Sequence, residues 1–341
     1  MFLIVAFVNK AQINSNLLKK IIVKKDKSEQ KINISIDGNL FTSFCFPDSL
    51  EKPFLFPIIA SNGATITRGF PLVPRNNEPV DHPHHIGLWM NYESVNGLDF
   101  WNNSYAIAPE NKSKYGWIRT RKISNLQNGK HGSFQYDADW MNQQKQILMQ
   151  ETTQYYFSAD TIFRIIDRVT TFTAMVNIDL SDSKDGLLGL RVAHELELPI
   201  YETKSYTDAN GIKTIIKATK DSTVTGNYLT SEGKEADAAW GTRGDWCMLY
   251  GKLGTDSISI AVIDHPQNPG YPTYWHARNY GLFAANPLGQ KIFSNGKKAL
   301  NLKLAKGEQL TFRYRIIIAA KKSRITNSEL EEQFREFEML K

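Results

Sequence analysis

Sulfur chemistry is nearly absent from this chain, which carries two cysteines, Cys45 and Cys247, in 341 residues. Two thiols are too few for a disulfide scaffold or a thiolate metal centre. They admit one bridge, although two buried free thiols are the better expectation. Long hydrophobic runs are absent as well, and none approaches the roughly 18–20 apolar residues that a membrane-crossing helix needs. A basic stripe interleaved with aromatics is also missing. The 41 Lys and Arg against 35 Asp and Glu leave a formal charge of +6. Much of it gathers at Lys19, Lys20, Lys24, Lys25 and Lys27, and again at Lys321 and Lys322. The missing stripe argues against nucleic acid as a partner, and solvated lysines that keep the protein soluble account for the excess. No phosphate-binding glycine loop, GxSxG elbow or HExxH appears, so the common nucleotide and hydrolase motifs are excluded. No repeat of solenoid or propeller spacing and no Pro/Gly/Ser linker divides the chain.

What is present is strand after strand. Ile32, Ile34 and Ile36 alternate before Asp37-Gly38, and Leu40 to Phe46 returns, which predicts a hairpin. Ser61 to Phe70 is strand-like. Tyr115 to Ser124 and Gly132 to Trp140 pair around Asn128-Gly129, and Met141 to Phe157 and Thr161 to Leu180 are long β-rich runs. The second of these is apolar on both faces, as expected of a sheet covered on both sides. Gly189 to Leu198 alternates again, Tyr201 to Trp240 is a surface excursion, and Ile258 to Ile263 is a buried strand. Leu300, Leu302 and Leu304, then Lys306-Gly307, then Leu310 to Ile318 predict a second hairpin. The end of the chain is helical, with Ser328 and Glu331 at capping-box spacing and Leu330, Phe334 and Phe337 on one face. The fold class expected is all-β: one large two-sheet sandwich over residues 12–341, closed by a short C-terminal helix. Phe2 to Val8 is read as the remnant of a secretory signal within residues 1–11, with a first β-strand as the alternative. On that basis the periplasm or the exterior is the expected location, and the cytoplasm the alternative.

Chemistry concentrates in two clusters. Asp81 to Trp101, DHPHHIGLWMNYESVNGLDFW, holds His82, His84 and His85 among the seven histidines of the chain. Trp89, Trp101 and Asp99 follow, and Asn96-Gly97 supplies a turn. Pro83 is expected to hold His82 in an extended conformation, with alternate rings pointing to opposite sides. Asp264 to Asn286, DHPQNPGYPTYWHARNYGLFAAN, repeats the same elements: Asp264 and His265, then Tyr274, Trp275 and His276, then Arg278, Tyr280 and Asn286. Imidazoles and carboxylates beside aromatic faces suit acid–base work on a sugar ring. The bland alternatives are a histidine loop that only satisfies backbone groups and a proline-rich structural loop.

Three stretches in order resemble the DUF6807, or PmoA-like, family: DHPHHIGLWMNYESVNGLDFW, WGTRGDW from Trp240 to Trp246, and DHPQNPGYPTYWHARNYGLFAANPLG. The likeness runs from about Phe70 to Ile317. Ile86 and Tyr92-Glu93-Ser94 depart from the family pattern. The resemblance implies a galactose-mutarotase-like supersandwich from glycan-degrading bacteria, often exported.

The expected catalytic groups are His82, His84, His85, Asp99, Glu195, Asp264, His265 and His276. The expected ligand contacts are Trp89, Asn96, Trp101, Arg191, Tyr274, Trp275, Arg278, Tyr280 and Asn286. A small carbohydrate is the expected ligand, with His/carboxylate acid–base chemistry on a sugar or oxidised glycoside. The alternatives are a carbohydrate-binding protein without chemistry and a metal-dependent lyase or hydrolase. No cofactor is expected. A divalent metal stays open, on two of the three clustered histidines with His194, Glu195, His265 or His276. The two clusters are expected to line one cleft, formed by strand-end loops at one end of the sandwich.

Overall fold

The structure, a computed structural model, describes residues 18–340 apart from 27, 201, 208–212 and 217–220. Phe2 to Val8, with both readings of it, lies outside the described residues. The first sheet has eight strands in the order Ile21–Lys25, Lys31–Ile36, Asn39–Cys45, Phe54–Ile58, Leu88–Met90, Leu188–Arg191, Leu282–Asn286 and Tyr274–Ala277. The second also has eight, in the order Asn227–Thr230, Trp246–Leu253, Asp256–Asp264, Gln309–Lys321, Phe163–Ala174, Ile147–Ala159, His131–Met141 and Trp117–Gln127. Every neighbouring pair in both sheets is antiparallel. This is the all-β two-sheet sandwich with a C-terminal helix. No helix among the described residues is long and apolar enough to cross a membrane.

The main core lies between the sheets, built from alternate residues of each strand. Phe44 of the first sheet stacks on Tyr136 of the second at 4.5 Å between ring centroids, and Phe41 meets Phe157 edge-on at 6.3 Å. The outer face of the second sheet is covered by the helix Asn327–Phe337, whose Leu330 and Phe337 pack on Trp246, Ile263 and Ile317. The run Phe163–Ala174 is therefore apolar on both faces for the expected reason. Ile166 and Phe172 enter the main core, while Ile165 faces the helix layer. Both cysteines are free thiols, Cys247 fully buried and Cys45 partly so.

The first hairpin forms as its alternation requires, with Asp37 and Gly38 both at positive φ (49° and 84°) and Ile36 facing Asn39. The second does not form. Leu302–Leu304 pairs with Ile178–Leu180, although Gly307 does turn the chain with a φ of 89°. Both edges of Gln309–Lys321 are already taken, by Asp256–Asp264 and Phe163–Ala174, so the leucine strand pairs elsewhere. Ser61 to Phe70 makes only isolated bridges, Ile59 with Thr65 and Thr67 with Val192. The helix begins two residues earlier than its spacing predicts. Thr326 is the N-cap, in a capping box with Glu329, and Glu331 instead accepts a hydrogen bond from Trp246 Nε1 at 2.9 Å.

Candidate functional site

The site lies on the outer face of the first sheet, not at the end of the sandwich. Side chains there alternate with the core residues: Leu88 and Met90 point inward while Trp89 points out, and Trp275 points inward while His276 points out. One cross-strand row forms the floor. Phe54 faces Trp89, Trp89 faces Gly189, Gly189 faces Ala284, and Ala284 faces His276. The two small residues in the middle make room for the rings at either side. A Cβ on Gly189 would lie 2.6 Å from Trp89 and 2.8 Å from Trp101.

Over this floor lies an open cavity of ≈ 50 Å³, lined by His82, His84, His85 and Trp101 from one cluster, by Asn102 just beyond it, and by His276, Arg278 and Tyr280 from the other. Lys184 and Asp185, from the loop before Leu188, complete the wall. The two clusters thus meet, but the local geometry of the histidines differs from the extended segment expected. His82 has a φ of +46°, and His85 N–H donates to His82 C=O at 3.0 Å, so Pro83 sits in a turn. The turn brings all three rings to one side, with centroids 4.2–5.6 Å apart.

An ion network holds that turn. Asp81 accepts from Arg191 Nη2 at 3.1 Å and Arg68 Nη1 at 3.3 Å, and its Oδ2 pairs with Nδ1 of His82. Arg68 also donates to the carbonyls of Asp81 at 2.7 Å, His82 at 2.9 Å and His85 at 3.2 Å. Arg191 donates to Nδ1 of His85 at 3.4 Å, which places the proton of that neutral ring on Nε2. Below, Lys52 Nζ donates to the His84 carbonyl at 2.6 Å and lies 5.4 Å from the Trp89 ring. The rings of Tyr280, His82 and His85 are parallel within 3°, and Trp89 continues the stack at 20°.

Burial dominates the titrations. It depresses His84, His85 and His276 well below the usual imidazole value, with nearby cations and imidazoles adding to it. Burial also lowers His82, outweighing the Asp81 carboxylate beside it. Asp81 goes the other way for a carboxyl in such a place. Burial pushes it up, but Arg191, His82 and Arg68 together hold it far below the carboxylate range. Asp185 is pushed up to about 7, chiefly by burial, with Lys184 offsetting part and Glu93 and Asp99 adding to it. Its Oδ1 lies 3.6 Å from Nδ1 of His276. Among the described residues no side chain hydrogen-bonds the His276 ring, which is only 1% exposed and has the Lys184 backbone beside it.

Other expected residues serve this cavity at one remove. Trp89 is fully buried and donates to Asn91. Asp99 accepts from the backbone and side-chain amides of Asn102, both at 2.9 Å, and so aims Asn102. Asn286 donates to the carbonyls of Ser183 and Lys184 and fixes the loop that carries Asp185. Arg191 braces the histidine turn. Asp264 and His265, by contrast, lie elsewhere. Asp264 ends a strand of the second sheet, fully buried, accepting from Asn268 Nδ2 and Thr273 N–H. The His265 ring packs edge-on against Phe337 of the terminal helix. Trp275 is in the core, Tyr274 stacks on Phe293, and Asn96 ties its turn to Asn177 and Asp179. Glu195 lines a different cleft of ≈ 580 Å³, with His194, Asp221, Thr225 and Lys252. Among the described residues, no group of three or more His, Cys, Asp or Glu is arranged to hold a metal ion.

Asp81, Arg68, Lys52, Asn102, Lys184 and Asp185 are the site residues that motif spacing misses. Asp81 stood inside the quoted motif and directly before His82. Lys184 and Asp185 carry no local signal, because SDSKDG is indistinguishable from a solvated turn.

A two-sheet antiparallel sandwich with a histidine-lined polar cavity on the outer face of one sheet is the class defined by this structure. The chain belongs to the family of unknown function DUF6807, whose model matches residues 31–335. No curated protein matches the sequence. Among solved structures, the chain is similar to the GH36 α-galactosidase AgaB from Geobacillus stearothermophilus, at 10% identity and a TM-score of 0.40, over 88% of this chain and 41% of that one. It is also similar to galactose 1-epimerase from Lactobacillus acidophilus, at 9% identity and a TM-score of 0.35, over 89% of this chain and 99% of that one. The chain thus spans about two fifths of the α-galactosidase.

Proposed function

We propose that this chain acts on a sugar by general acid–base chemistry at the cavity between His82 and His276. One observation carries the proposal: two different acid–base units share one small polar cavity. On one wall Asp81 engages Nδ1 of His82, which leaves Nε2 as the nitrogen that takes a proton. On the other, the buried Asp185 carboxyl stands beside His276 with a pKa of about 7. A neutral imidazole is a base near pH 7, and a carboxyl raised to that range still holds a proton to give. Trp101 and Tyr280 offer apolar edges, while Asn102, Lys184 and Arg278 offer donors for hydroxyl groups. Removing a proton at one wall while protonating an oxygen at the other fits an epimerase-like reaction, an elimination or a hydrolysis.

A sugar binder without chemistry is the second reading, and the ≈ 50 Å³ of the cavity favours it, since that space receives one end of a ring and not the whole. The test is a panel of mono- and disaccharides and their oxidised forms, incubated with the protein in D2O and followed by proton NMR. The proposal expects carbon–hydrogen exchange, anomer interconversion or bond cleavage above background. His82→Gln and Asp185→Asn should each slow it on the order of a hundredfold or more. Binding without any reaction would establish the second reading.

A further inference from the structure

We infer that the sugar accepted at this cavity is joined to a second ring, and that the second ring lies on the exposed indole of Trp240. The inference rests on the sugar reading above and narrows its substrate class to disaccharides and longer chains. The stretch WGTRGDW, Trp240 to Trp246, contributes no residue to the cavity lining. Its two tryptophans are placed very differently. Trp246 is 1% exposed and donates to Glu331 of the terminal helix. Trp240 is 38% exposed, the one exposed tryptophan among the seven of the chain.

A lone apolar side chain at a surface needs no explanation. Trp240, however, is held in place and adjoins the cavity. Its loop runs along the outer edge of Tyr274–Ala277: the Gly241 N–H donates to the Trp275 carbonyl at 2.8 Å, and the Trp275 N–H to the Thr242 carbonyl at 2.9 Å. Arg243 donates to the carbonyls of Gly270, Tyr271 and Pro272 at 2.8–3.0 Å and so ties this loop to the next. Two contacts join the indole to the cavity wall. The guanidinium of Arg278, a lining residue, lies 5.5 Å from the Trp240 ring centroid and 5.6 Å from that of Tyr280. Phe293 meets Trp240 edge-on at 5.5 Å and the His276 ring at 5.8 Å. Gly289 makes room for Phe293, since a Cβ there would lie 2.5 Å from its ring. The cavity, at ≈ 50 Å³, receives one end of a ring, so the rest of a bound sugar projects past its mouth. On the side of His276 and Arg278 that path leads to Trp240. An indole stacks on the C–H face of a pyranose, and a rigid ring on a backbone-pinned loop offers that contact at little cost in ordering.

Isothermal titration of the full chain with galactose, glucose and their methyl glycosides, against lactose, melibiose, maltose and cellobiose, tests the inference. The best disaccharide should bind about threefold to tenfold more tightly than the methyl glycoside of its terminal sugar, the range of one aromatic contact. Trp240→Ala should abolish that advantage and Trp240→Phe should keep part of it, with melting temperature and far-UV circular dichroism unchanged. In the wild-type protein, the indole N–H resonance of Trp240 should shift with the disaccharide and stay in place with the methyl glycoside. Methyl glycosides binding as well as the disaccharides would overturn the inference and leave the sugar reading standing. A disaccharide preference that survives Trp240→Ala, or that comes without a shift of the Trp240 indole, would also overturn it, since the second ring would then lie elsewhere. Failure of every sugar to bind would overturn both readings.

Discussion

Nδ1 of His276 lies 3.6 Å from Oδ1 of Asp185, with both side chains buried. The imidazole comes from the last strand of the first sheet and the carboxyl from the loop before Leu188–Arg191. In the cross-strand row beneath them, the small residues Gly189 and Ala284 separate Trp89 from His276. Burial moves the two groups in opposite directions: it lowers the imidazole and raises the carboxyl.

The pH dependence of stability follows with opposite signs. Asp185 titrates near 3.8 in an unfolded chain and at about 7 in the folded one. The folded state therefore binds the proton more tightly. Its contribution is fully present below pH 3.8 and is lost as pH rises from there to about 7. His276 is depressed from 6.5, so its contribution is present above pH 6.5 and is lost as pH falls below that value. Chemical denaturation across pH 4–8 should show Asp185→Asn gaining on wild type as pH rises, and His276→Gln gaining as pH falls. Parallel curves for either variant would contradict the assignment.

Arg191 is fully buried and faces both Asp81 and Glu197. Replacing it with methionine leaves two buried carboxylates short of a cation, a loss of about 3–5 kcal/mol for breaking such a network from one side. Urea unfolding of Arg191→Met measures this. Neutralising Asp81 in the same chain should recover part of the loss.

Gly189→Ala probes the floor of the cavity. The added methyl group lands 2.6 Å from Trp89 and 2.8 Å from Trp101, so the indoles must shift, and His85 stacks on Trp89. Ligand affinity should fall at least about tenfold while the chain still folds, because over-packing costs roughly 1–3 kcal/mol. Affinity equal to wild type would show that the indole–imidazole stack does not shape the site.

The helix that covers the second sheet depends on its cap and its anchor. Thr326→Ala should cost about 1 kcal/mol, and Phe337→Ala, which removes a fully buried ring, about 3–5 kcal/mol. Both are read from denaturant midpoints. Neither should alter ligand binding, since this layer covers the opposite sheet.

The all-β class was legible in the sequence because period-2 alternation repeats from Ile32 to Ile318. Partner choice was not. Leu302–Leu304 alternates as well as any strand, but the neighbouring edge was already filled from far away in sequence, and local pattern carries no record of that. The histidine motif points to the candidate cavity, but the extended conformation that Pro83 implies for His82 gives way to a turn. A turn at Pro83 with His82 at positive φ depends on Arg68, which grips three carbonyls of the turn from another segment. His265 matched the motif by composition, yet the strand end that carries it points toward the terminal helix. Asp185 stayed invisible because its significance comes from burial, and nothing in SDSKDG signals burial.

The most direct test of the central claim is side-chain 15N NMR of the seven histidines during titration with sugars and their oxidised forms. One shared cavity predicts that His82, His84, His85 and His276 shift together with a single affinity, while His131 and His265 stay where they are. A response confined to His194, in the larger cleft, or a shift of His276 without the three clustered histidines, would contradict it.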